Sequence, residues 1–471
     1  MNSLTRLSAA EMAEQVSQKK ISPVELVQAH LDAIHHLNPR LNAFVTVDQD
    51  RALQAARVAE EAVLHGEELG SLHGVPVTIK SSIDVAGLRC ETGSRLRAGN
   101  IAMTDAPLVE RLKKAGAIVL GNTNVPELLM AYETDNLLYG RTNSPWDLER
   151  TPGGSSGGES AAIAACCSAG GVGSDGGGSI RVPAHYAGIC GLKPTPGRVP
   201  ATGHFPASAG PFAQLGVVGP MARTVRDVRL LFEAMAGPDP GDPSAAPAPL
   251  RHPTDLEVRS LHVGYFEDDG QNPVTPETRA AVRVAVDQLK DAGFRASPFR
   301  PDGLTRAREL WWQLFGLAGG FVLGPMIKGR ESDFSPILSE FIGIVKADTP
   351  LTLESFMTTL LDRDGLRAQF LRQMEDFPVL VCPVCCIPAF RHGERQWTVE
   401  GKTVEYLNAM TYTQWFNLLG NPAMVVPVGR SPEGLPIGVQ VVGRPYGEEE
   451  VFAVAAEIER GRSWQAPPLI D

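Results

Sequence analysis

Two stretches hold most of the residues able to do chemistry. Residues 151–165 read TPGGSSGGESAAIAA, and residues 173–184 read GSDGGGSIRVPA. Both set serines among glycines. Glycine lets the backbone come close to a reacting group and turn several N–H groups toward one point. A serine in such a loop is a candidate nucleophile, provided that a base activates it. A flexible linker has a similar composition. A linker would not need the Arg181, Pro183, Cys190 and regularly spaced apolar residues that thread this region.

Two motifs in the region lead elsewhere. Residues 154–158, GSSGG, match G-x-S-x-G, which would make Ser156 the nucleophile and require an acid and then a histidine downstream. The later histidines, His185, His204, His252, His262 and His392, sit in no telling context. Residues 171–176, GVGSDG, match G-x-G-x-x-G. A dinucleotide site would then need a helix at once and an acid about twenty residues on. The glycines that follow forbid the helix, and no acid lies between Asp175 and residue 226. A different partner stands upstream. Lys80 ends the apolar, β-rich run VPVTIK at 75–80. Alone, a lysine at a strand end reads as a solvated charge. Buried, it would lose its proton readily, because desolvation disfavours the ammonium form.

Taken together, these segments resemble the amidase signature family. The likeness runs through HGVPVTIKSSIDVAG (73–87), GNTNVPELLMAYETDNLLYGRTNSPWDLER (121–150) and the two stretches above. It continues in GLKPTPGRVP (191–200), VGPMARTVRD (218–227), FNLLGNPAMVVPVG and GLPIGVQVVG (416–443), and is weakest over about 245–375. Lys80, Ser155 and Ser179 each fall in their own motif, 75 and then 24 residues apart. The resemblance implies Ser179 as nucleophile, Ser155 as relay behind a cis peptide bond, and Lys80 as base. It implies an oxyanion hole from Gly176, Gly177, Gly178 and the N–H of Ser179. Amide hydrolysis needs these parts: an activated nucleophile, a proton for the departing nitrogen and stabilisation of the oxyanion. The family commonly has Thr where this chain has Gly176; a backbone donor survives that change. Asp175 and Arg181 are expected to pair and hold the loop, and Ser156 to support the site by hydrogen bonding.

The implied reaction is hydrolysis of a carbon–nitrogen acyl bond, in some relatives extended to esters and carbamates (urethanes). Leu129 and Met130 match positions that line the acyl channel in some relatives, so an apolar or aryl substrate is expected. The alternative is the amidase subunit of a glutamine-dependent tRNA amidotransferase complex, in which the same triad releases ammonia. Asn124-Val125-Pro126-Glu127 departs from that subunit's pattern, and with the divergent middle it favours a stand-alone enzyme. A catalytically dead scaffold would be expected to have lost Lys80, Ser155 or Ser179. No metal or organic cofactor is called for; the oligomeric state is not readable from the sequence, though the resemblance admits a homodimer, as relatives often are.

The elements that must position these groups alternate between helix and strand, which argues for an α/β class. The resemblance sharpens this to one amidase-signature domain over 1–471. It would be a large mixed β-sheet covered by helices on both faces, with a helical cover over the cleft at 300–375. Ser22-Pro23 opens a capped helix, and helices are expected over 108–115 and 275–293. Strands are expected at 75–80, 117–124, 258–266, 377–386 and in VVPVG and GVQVVG. The Pro-rich segment 237–253 reads as an exposed connector.

Composition narrows the function further. A net charge of -11 speaks against a protein built to grip nucleic acid. Seven unevenly spaced cysteines do not form a disulfide framework. The N-terminus lacks an apolar core of signal-peptide length, so a reducing, cytoplasmic setting is expected. The apolar stretch 310–327 contains Gln313, four glycines and Pro325, and reads as a cleft-lining segment, not a membrane span.

Overall fold

The computed structural model describes residues 2–207 and 210–470. Its strands, in chain order, are β1 (Phe44–Val47), β2 (Pro76–Lys80), β3 (Ile118–Thr123), β4 (Gly170–Asp175), β5 (Cys190–Lys193), β6 (Val217–Ala222) and β7 (His262–Tyr265). They continue with β8 (Arg295–Pro298), β9 (Val379–Pro383), β10 (Gln396–Val399), β11 (Lys402–Glu405), β12 (Ala423–Arg430) and β13 (Pro436–Gly443). Eleven of them form one sheet, in the order β1-β3-β2-β4-β6-β5-β12-β13-β9-β7-β8; β10 and β11 make a separate hairpin. The sheet is mixed. β2 runs parallel to both β3 and β4, β7 runs parallel to β8 and β9, and the remaining neighbours are antiparallel.

Helices cover both faces, and β12 shows how. Met424 and Val426 join the core formed with helices Val225–Met235, Pro276–Asp291 and Glu448–Glu459. Val425, between them, packs instead with helices Gly157–Ala164 and Arg181–Ala187. This is the two-residue alternation of a strand buried on both sides. β2 is buried at every position, in keeping with its near-continuous apolar sequence.

The parallel pairing of β2 with β4 brings the chemistry together. Val77 stands opposite Gly170 and Ile79 opposite Val172. The strands therefore end side by side, one in Lys80 and the other in Asp175 and the glycine loop. In sheets of this kind the carboxyl ends of parallel strands are where ligands bind. β4 is glycine-rich because helix Gly157–Ala164 lies directly on it. A Cβ on Gly171 would collide with the Glu159 carboxylate carried by that helix, and with the Thr78 carbonyl oxygen of β2.

Two sequence expectations need correction. The segment expected to be a strand over 258–266 begins as a helix, Asp255–Arg259, and only His262–Tyr265 is strand. Thr254 and Glu257 cap that helix reciprocally, a T-x-x-E signature visible in the sequence. The run 377–386 is strand only over Val379–Pro383, after which Cys385 and Cys386 turn into a buried bend. The other expected helices and strands form, with Ser22 and Glu25 in a capping box before Pro23–Leu41. All seven cysteines are free and buried.

The region after residue 300 is helical: Leu304–Trp312, a π-helical turn Gln313–Leu317, Ala318–Ile327, Pro336–Ala347 and Leu353–Gln373. By length and composition Leu304–Ile327 could cross a membrane. Leu310, Trp311, Leu314 and Leu323 lie in the protein core, and Trp311 and Phe315 face the cavities described next.

Candidate active site

Lys80 is fully buried, and its Nζ donates to Ser155 Oγ at 2.6 Å, Ser156 Oγ at 2.9 Å and Ser174 Oγ at 3.0 Å. Burial pulls the ammonium down to about 7; the negative charges of Asp175 and Glu159 only partly oppose this. A lysine in that state can accept a proton from a hydroxyl near neutral pH. The Gly154–Ser155 peptide bond is cis. Ser179 follows the glycine loop at the start of helix Arg181–Ala187, and with Ser155 it lines the same cavity.

The glycine loop is held from behind. The Gly176 carbonyl accepts the Trp311 indole N–H at 2.9 Å. The Gly177 carbonyl accepts from Tyr132 Oη at 2.9 Å and Thr413 Oγ1 at 2.7 Å. In a trans peptide the C=O and the next N–H point opposite ways, so the Trp311 contact sends the Gly177 N–H away from Trp311. No hydrogen bond occupies the N–H of Gly176, Gly177 or Ser179 among the described residues. Gly178 differs from expectation, because its N–H is already donated to Asp175 Oδ1 at 2.7 Å. The free N–H groups of the loop are therefore those of Gly176, Gly177 and Ser179. Gly178 serves the turn itself, with φ of 126° in the region that favours glycine.

Asp175 and Arg181 form the expected pair, Nε to Oδ2 and Nη2 to Oδ1 each at 3.0 Å, with both side chains buried. Burial pushes the Asp175 carboxyl up, but Arg181, Lys193 and the Ile180 N–H outweigh it, so the group stays ionised well below the usual carboxylate range. Asn417 completes the cluster, donating to Asp175 and accepting from Arg181 at 2.5 Å.

Two cavities meet at Ser179. The first is walled by Tyr132, Trp311, Phe315, Phe341 and Tyr406. The second is walled by Ser155, His204, Phe212, Phe315 and Leu323. Leu129 and Met130 line both. Leu128 and Leu129 hold left-handed backbone, φ 49° and 68°, fixed by N–H bonds to the carbonyls of Thr92 and Pro126. Burial and the Lys80 charge draw His204 down to about 4, so its ring is neutral at pH 7.

Several contributors escape a reading of motifs. Ser174 binds Lys80 from a stretch that reads as loop. Glu159, pushed up to about 7 by burial, accepts from Thr78 and from Thr123 at 2.7 Å beneath the site. Trp311 and Phe315 come from the divergent middle; only their aromatic character is visible in the sequence.

The Amidase family model matches residues 25–452. The chain is 38% identical to an indoleacetamide hydrolase of Bradyrhizobium diazoefficiens over 96% of its length and 86% of that protein. It is 32% identical to a glutamyl-tRNA(Gln) amidotransferase subunit of Moorella thermoacetica, covering 97% of each. Among solved structures, a bacterial aryl acylamidase superposes with a TM-score of 0.86 at 26% identity, over 98% of both chains. A motif series, an eleven-stranded sheet and full-length likeness thus agree: the chain belongs to the amidase signature family, hydrolases of amide carbon–nitrogen bonds.

Proposed function

We propose that this enzyme hydrolyses amides of apolar or aryl acyl groups through an acyl-enzyme on Ser179, with a Lys80–Ser155 proton relay. The observation that carries the reading is a fully buried lysine, drawn down to about 7, bonded to Ser155 beside Ser179. In the first step Ser179 Oγ bonds to the substrate carbonyl carbon. Its proton passes to Ser155, whose own proton passes to Lys80. The oxyanion is met by the N–H groups of Gly176, Gly177 and Ser179. Lys80 then returns a proton through Ser155 to the nitrogen, the carbon–nitrogen bond breaks and the amine leaves. Water, activated by the same relay, hydrolyses the acyl-enzyme. A carbamate or ester substrate would follow the same path with a different leaving group.

The aromatic walls of the first cavity favour an apolar or aryl acyl group. The test is amine release from an aryl anilide, a fatty amide, an aryl carbamate and free glutamine, with Ser179→Ala as control. Turnover of the first three, lost in the variant, is expected. Hydrolysis of glutamine alone would support the amidotransferase reading that the Moorella relative keeps open. Full activity in Ser179→Ala would overturn the mechanism.

Trp311 provides a second test. Trp311→Phe keeps an aromatic wall but loses the N–H that holds the Gly176 carbonyl. Deleting an oxyanion donor outright costs roughly 10²–10³ in kcat, so loosening one should cost about tenfold, with KM little changed. Steady-state kinetics on the anilide checks this. A change confined to KM would assign Trp311 to substrate binding alone.

A further inference from the structure

Among the described residues, Phe315 is the one aromatic ring that lines both cavities at Ser179. It sits in the π-helical turn Gln313–Leu317, between helices Leu304–Trp312 and Ala318–Ile327. Such a turn takes an extra residue and resets which way the following side chains point; it recurs at functional sites. The ring lies flat on Trp311, centroids 4.8 Å apart at 12°, and edge-on to Phe341 at 6.4 Å. Its other edge reaches the glycine loop. A Cβ added to Gly176 would lie 2.9 Å from Phe315 Cε2, closer than side chains pack. The absence of a side chain at Gly176 is therefore what lets the ring stand where it does.

The cavities differ in what they offer the scissile bond. Ser155, from which the departing nitrogen takes its proton in the mechanism above, lines only the second chamber. The leaving side of the substrate must then occupy that chamber, and the acyl side the aromatic one. The second chamber is no smaller than the first. Ammonia, the leaving group of a primary amide, would leave the second chamber unused. Its walls include Phe212, Val322 and Leu323, so the group it suits is apolar.

We propose that Phe315, seated by Gly176, is the partition that sorts the two halves of the substrate, and that the preferred substrate is an N-substituted amide with an apolar group on each side of the scissile bond. The inference rests on the hydrolase reading above and narrows it, since that reading admits primary and substituted amides alike.

The experiment compares kcat/KM for phenylacetamide and phenylacetanilide, which share an acyl group and differ in the leaving amine. The wild-type enzyme is expected to favour the anilide by at least tenfold. Phe315→Ala should cut that ratio by about tenfold and Phe315→Leu by less, because without the partition a two-sided substrate settles in unproductive orientations. Gly176→Ala should lower the ratio by pushing the ring aside, yet change it little further in the Phe315→Ala background. That dependence separates displacement of the ring from general damage to the loop. A wild-type ratio near one, a ratio unmoved by both Phe315 variants, or an equal Gly176→Ala effect in both backgrounds would overturn the partition while leaving the hydrolase intact. Hydrolysis of neither substrate by the folded wild-type enzyme would instead bring down the hydrolase reading and this inference with it.

Discussion

Lys80→Met will lower kcat on the anilide by roughly 10³-fold or more, since it removes the base and the proton donor together. In the wild-type enzyme kcat/KM should rise with pH through about 7, as the buried ammonium gives up its proton. The residual activity of the variant should lack that limb. A second signature lies in stability. The folded value, about 7, is below the ordinary lysine value of 10.5. Between these limits the unfolded chain holds a proton that the folded protein does not. Stability linked to this group is complete above about pH 10.5 and is lost as pH falls to about 7. The rise of Tm with pH across that window should therefore be shallower in Lys80→Met. Comparing slopes cancels any constant cost from the hydroxyls of Ser155, Ser156 and Ser174 that lose their donor. Equal slopes in the two proteins would mean that Lys80 is charged in the folded state, and the relay would lose its base.

Arg181→Leu is expected to be the most damaging change to the fold near the site. It leaves the Asp175 carboxylate buried without its cation, a loss of roughly 3–5 kcal/mol. Denaturant midpoints would measure it. Adding Asp175→Asn should recover part of that loss, because the stranded charge is then gone. The sign with pH is fixed as well. Asp175 titrates lower in the folded protein than its ordinary 3.8, so its contribution is present above about 3.8 and disappears as pH falls through the folded value. On acidification the gap between the Arg181→Leu protein and wild type should accordingly narrow, because protonation relieves the stranded carboxylate of the variant while wild type loses its ion pair. An Arg181→Leu midpoint within error of wild type would mean that the pair does not hold the loop.

Much of this arrangement was legible in the chain itself. Lys80 ends an apolar run, and the buried strand that run predicts is the one observed. Asp175 and Arg181, flanking a glycine loop, were readable as a pair because they lie six residues apart on either side of one turn. What escaped was whatever depends on contacts between distant segments. Ser174 looks like any serine among glycines until β2 and β4 pair. Nothing local tells Gly178 from Gly177; the difference is which N–H the Asp175 carboxylate can reach. The apolar stretch 310–327 announced a wall, but not that a π-helical turn would aim Phe315 into the site, since no spacing in the sequence marks where a helix takes in an extra residue. The helix Asp255–Arg259 is a miss of another kind, for its Thr254–Glu257 cap was in plain view.

The indole N–H of Trp311 on the Gly176 carbonyl has a consequence for engineering. Residues 304–373 look like an exchangeable module: they furnish walls, while Lys80, Ser155 and Ser179 hang from the sheet. A chimera that grafts the corresponding helices from another hydrolase would then be expected to swap substrate range and keep its rate. The bond from Trp311 ties the two parts together. A graft without a donor at that position would inherit new walls over a slackened loop and show the new preference at a reduced turnover. Shuffling libraries that cross over within 304–373 should therefore hold Trp311 constant and diversify around it.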